Sequence, residues 1–67
     1  MTSPAIFYRE RAQLAQTEAD EAKLDNVRER CLRAEAAWTA MADRAERTQK
    51  LRDKREAEVV TRVQTAL

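Results

Sequence analysis

From Ala5 to Leu67 the chain contains neither of the residues that break a helix: there is no Gly, and the one Pro stands at position 4. Ala, Arg, Glu, Gln and Leu dominate, and each costs little in a helical backbone, so helix is the default state of nearly every segment. Ser3-Pro4 supplies a start. A Ser hydroxyl accepts from an amide that the first turn leaves without a partner, and Pro fits the first helical position, where no donor is needed. The fold class is all-α, and what remains is how so long a helical stretch divides and packs.

Hydrophobic spacing divides it. Ala5, Tyr8, Ala12, Ala15, Ala19 and Ala22 follow a 3-4-3-4-3 pattern, one heptad seam, with Ile6 and Phe7 flanking its start. A second seam runs through Val27, Cys31, Ala34, Trp38, Met41, Ala45 and Thr48. The step from Ala22 to Val27 is five residues, which neither heptad interval supplies. Leu24-Asp25-Asn26 lies in that gap, Asp and Asn are good N-caps, and Asn26 with Glu29 has capping-box spacing. The spacing predicts an antiparallel helical hairpin with coiled-coil-like packing. Residues 1–3 form a cap, 4–23 the first helix, 24–26 the turn and 27–48 the paired part of the second helix. The rival is a single helix with a phase slip.

Residues 49–67 read as a projecting, charged C-terminal arm. Continuing the second seam lands on Arg52 and Arg55, and apolar residues return as Leu51, Val59, Val60, Val63 and Leu67, which the spacing places in another phase. The first helix offers mostly Ala, so its backbone can approach closely while Trp38 and Met41 fill the space opposite. Trp38 is the expected central core residue, and burying it contributes about 2–3 kcal/mol. Leu, Ile, Val and Phe together number only eleven of 67 residues. A chain this short and this poor in large apolar side chains gains little from a lone hairpin, and self-association is the expected remedy.

Composition excludes much chemistry. With no His and one Cys, the chain lacks the ligands of a zinc site and the usual general base, and without Gly it has no phosphate-cradling loop. No catalytic, cofactor or metal residues are expected, and the chain is read as not an enzyme. Cys31 lies on a seam and has no His to activate it, so it is expected to be a packed thiol. Glu18, Asp20 and Glu21 read as a solvated acidic face. Glu29/Arg33, Asp43/Arg47, Glu46/Lys50 and Glu58/Arg62 are i,i+4 pairs in the favourable order and support helix. No apolar run approaches the ~20 residues that span a membrane. The lone Cys and the lack of a signal-like N-terminus give a cytoplasmic expectation.

Two surface features remain as candidates. Val59, Val60, Val63 and Leu67 form an apolar strip suited to an interface with a second copy, a dimer first of all, or with another helical protein. Arg47, Lys50, Arg52, Lys54 and Arg55 against Asp53 make a stretch of net charge +4, capable of phosphate contact. The whole chain carries only +1 and no aromatic residue interleaves with that stretch, so a solvated helix face is the plainer reading. The expected function is a non-enzymatic structural or interaction module that self-associates; a small nucleic-acid-binding regulator using residues 47–55 is the alternative.

The segments Phe7-Tyr8-Arg9-Glu10-Arg11-Ala12, Leu24-Asp25-Asn26-Val27-Arg28-Glu29-Arg30, Leu32-Arg33-Ala34-Glu35-Ala36-Ala37-Trp38 and Met41-Ala42-Asp43-Arg44-Ala45-Glu46-Arg47-Thr48 resemble a group of small, uncharacterised alphaproteobacterial helical proteins. The resemblance covers about residues 6 to 48 and leaves the arm outside it. It implies a bacterial cytosolic helical protein and no particular activity.

Overall fold

The computed structural model describes residues 3–66. Among them there is no strand, and two helices account for the chain: α1 over Pro4–Glu21 and α2 over Asp25–Ala66. They pack against each other as an antiparallel hairpin, with α2 more than twice as long as α1. At 1.5 Å per residue the 42 residues of α2 span about 63 Å, which matches the 65 Å long axis of the molecule. The second helix is therefore straight and unbroken. The Cα radius of gyration of the molecule is 18.3 Å, where a compact chain of this length would have roughly 11 Å, so the protein is a rod.

Ser3 caps α1 as the sequence predicts: its extended backbone precedes the helix and its hydroxyl accepts from the Ile6 amide at 3.2 Å. The connection occupies residues 22–24, so α1 ends two residues sooner and α2 begins two residues earlier than the spacing suggests. Asp25 and Asn26 consequently lie inside the first turn of α2, and Asn26 does not stand before the helix as a capping box requires. The reversal needs no left-handed residue. Ala22 leaves the helix at φ −68° and ψ 131°, an extended conformation open to any side chain, which is why the turn forms without Gly.

Arg28 holds this turn. Its guanidinium donates to the Ala22 carbonyl oxygen at 3.1 Å and lies 3.8 Å from the Asp25 carboxylate. A cation at the end of α1 meets the negative end of the helix dipole and a carbonyl that has no partner within the helix.

The enclosed core is made of alanine. Ala12, Ala15 and Ala19 on α1 and Ala42 on α2 are the buried residues, with Ala42 at 0% exposure. The middle of the first seam, Ala12, Ala15 and Ala19, is thus buried, while Ala5, Tyr8 and Ala22 at its ends are half-buried. The α2 seam is half-buried from Val27 to Ala45, while Thr48 at its end is exposed. Trp38 does not take the central place expected of it: it is only half-buried, because two Ala-lined helices approach too closely to enclose an indole between them. It lies instead along one edge of the hairpin.

Candidate interaction surface

The two edges of the hairpin differ in chemistry. On one, Arg9 of α1 donates from Nη2 to Asp43 Oδ1 at 2.7 Å and from Nε to Glu46 Oε1 at 3.1 Å. Asp43 and Glu46 are three residues apart, hence on one face of α2, and a single guanidinium fork spans them. The Arg9 hydrogen bond holds the Glu46 carboxyl below its ordinary range. In return the two carboxylates raise the affinity of Arg9 for its proton, Glu46 contributing most. The expected pairs Asp43/Arg47 and Glu46/Lys50 are not the contacts formed, since both acids turn across the interface to Arg9.

Along the other edge Phe7, Tyr8 and Trp38 cluster. The Trp38 ring lies 6.0 Å from both others, edge-on to Phe7 and stacked at 30° on Tyr8. The Arg11 guanidinium sits 5.6 Å from the Phe7 ring centre and 5.9 Å from that of Trp38, a cation–π arrangement on the solvent side. Tyr8 also faces Met41 and Ala45, as the antiparallel pairing predicts, and with them lines a groove at the open end of the hairpin. This groove has a volume of about 520 Å³ and a largely apolar lining that includes Ala5, while Arg44, Lys50 and Arg52 supply cations around it and Glu46 one carboxylate.

Past the groove α1 has stopped and α2 continues alone, with every described residue from Arg47 to Ala66 exposed. Val59, Val60 and Val63 are 55%, 54% and 53% exposed. Leu67, the fourth member of the expected strip, lies outside the described residues. Here the continuous helix corrects the phase read from spacing. Val60 follows Ala42 by eighteen residues, and at 3.6 residues per turn that is five whole turns. The valine strip therefore lies on the side of α2 that α1 covers at Ala42. It is the continuation of the packing face, left open where α1 ends.

The basic stretch is dispersed. Arg47, Lys50 and Lys54 fall at intervals of three and four and share one side of α2, whereas the 100° turn per residue carries Arg52 and Arg55 to another. Asp53 within the stretch accepts from the Gln49 side chain at 3.0 Å. Cys31 is half-buried on the α2 seam. Among the described residues no group of three or more Cys, Asp or Glu is placed to hold a metal ion, and no helix is long and apolar enough to cross a membrane.

The chain's spacing exposed the seams but not the Arg9 fork. Its one sequence trace is the Asp43/Glu46 interval of three, read together with an Arg directly after the seam residue Tyr8. No protein family, no curated protein and no solved structure matches the chain, so its function is argued from these surfaces.

Proposed function

We propose that the protein is a non-enzymatic helical interaction module that associates with itself through the projecting part of α2. The observation that carries this is the half-exposed Val59, Val60 and Val63 strip, which continues a packing face beyond the end of α1. Apolar surface in a contiguous row on a single helix is costly in water, and association removes it. A cytosolic setting accompanies the reading, because a lone half-buried Cys suits a reducing compartment. The division of the basic side chains between two sides of α2 weakens phosphate contact as the main role.

Sedimentation equilibrium at tens of micromolar tests the proposal. Wild type is expected to exceed the 7.7 kDa protomer mass, and to do so at 1 M salt as well, where charge contacts are screened within about 3 Å. The double variant Val60→Asp, Val63→Asp is expected to sediment as a monomer with its helix content retained. A monomeric wild type overturns the reading, and duplex binding that weakens steeply with salt would favour the nucleic-acid role.

A further inference from the structure

We infer that the groove at the open end of the hairpin receives the turn of a second copy, so that chains join head to tail, each turn seated in its neighbour's groove. This rests on the self-association proposed above and specifies its geometry. Three observations carry it.

The first is the charge of the groove. Arg44, Lys50 and Arg52 line it, and among the described residues none of the three forms an ion pair. Glu46 lines it too, but its carboxylate accepts from Arg9 at 3.1 Å, so Lys50, four residues on, loses the partner that spacing offers it. The groove therefore joins an apolar floor at Tyr8, Met41 and Ala45 to unpaired cations. Its complement is an apolar group flanked by carboxylates.

The second is the turn, which has that chemistry. Leu24 is 63% exposed, more than any other large apolar side chain among the described residues. Glu18, Asp20, Glu21 and Asp25 stand on either side of it in the chain against Lys23 alone, a net charge of −3 over residues 18–25. Glu18, Asp20 and Glu21 are exposed and form no ion pair among the described residues, while the nearby Arg28 is held by the Ala22 carbonyl and Asp25. The two ends of the hairpin are thus complementary. Joining groove to groove, or turn to turn, would bring like charges together.

The third is fit. Leu24 at the turn and Thr48 in the groove lie about 36 Å apart along α2, so no chain fills its own groove. A neighbour that enters with its turn lies along the arm. Its α1 of 18 residues spans about 27 Å, and the exposed stretch from Arg47 to Ala66 spans about 30 Å. The valine strip then falls beneath the neighbour's hairpin. The neighbour's own groove stays open, so the contact is heterologous and repeats.

Cysteine cross-linking of the full chain in a Cys31→Ser background tests the geometry. Lys23→Cys marks the turn and Thr48→Cys the groove; both positions are exposed, and circular dichroism confirms that each variant remains helical. With a bismaleimide that spans about one helix diameter (~10 Å), an equimolar mixture of the two single variants is expected to give a mixed dimer, and neither alone is expected to cross-link. The double variant Lys23→Cys, Thr48→Cys is expected to give a ladder of trimers and longer products, which a closed two-fold dimer cannot form. Adding Lys50→Glu and Arg52→Glu to it is expected to abolish the ladder. Products that stop at the dimer, cross-linking of Lys23→Cys to itself, or a ladder that survives the charge reversal overturn the proposal. So does a chain that sediments above its protomer mass but yields no mixed product; in that case self-association stands and only this geometry falls. A wild type that sediments as a monomer overturns both.

Discussion

Arg9 on α1 and Asp43 on α2 meet at 2.7 Å across 34 residues of sequence, and the same guanidinium reaches Glu46 through its Nε. The enclosed core is four alanines, whose contacts are small and nearly alike along the helix, so register falls to the edges: this fork on one, and Trp38 against Phe7 and Tyr8 on the other. The fork has one register. Shifting α1 by a turn would carry Arg9 about 5 Å from both acids.

The fork predicts a sensitivity to acid. The pKa of Glu46 is held below the ordinary glutamate value of about 4.3, so its contribution is complete above that value and disappears as pH falls through the lower, folded-state one. Thermal melts are expected to show wild type losing stability below about pH 4. Glu46→Gln is expected to melt lower than wild type at pH 7 and to show a shallower decline in acid. Parallel pH profiles for the two proteins would mean that the fork adds nothing in solution.

Ala42 is wholly enclosed and faces an α1 whose buried residues are also Ala. Ala42→Leu is expected to cost about 1–3 kcal/mol by forcing the helices apart. Ala57→Leu on the exposed arm should change stability by less than about 0.5 kcal/mol. Urea titrations of the two variants make the comparison, and equal midpoints would remove Ala42 from the core.

Trp38 sits on an edge, half-buried, against Phe7 and Tyr8. Trp38→Ala is therefore expected to cost about 2–3 kcal/mol, from partial area loss and the aromatic contacts, less than the roughly 3–5 kcal/mol of an enclosed aromatic. Chemical denaturation measures it. A loss beyond that range would mean that the hairpin closes over the indole more fully.

Ser3→Ala removes the hydroxyl that accepts from the Ile6 amide, a change worth about 1 kcal/mol at a helix start. The expected signature is local: faster hydrogen exchange at Ile6 and its neighbours in the first turn, with the turn around Arg28 unaffected. Uniform acceleration along the chain would instead mark the cap as part of the global unfolding unit.

The helices and their approximate limits were legible from residue type alone. Gly is absent, Ser3-Pro4 marks the start, and the five-residue step after Ala22 breaks the heptad register, all of which act within a few residues along the chain. The α1 seam was legible for the same reason, since Ala12, Ala15 and Ala19 repeat at the helical period and are the residues buried. Pairing across the interface was not. Whether Asp43 turns to Arg47 on its own helix or to Arg9 on the other depends on the register between helices, a relation between residues more than thirty positions apart. Spacing likewise nominated Trp38 for the centre, while the close approach of two Ala-lined backbones moved it to an edge and enclosed Ala42. Only the straightness of α2 revealed that Val60 continues the face of Ala42, because phase over five turns accumulates from every residue between them. Periodicity belongs to one helix and is written in its sequence; which side meets a partner, and where that partner stops, is decided by how the two helices pack.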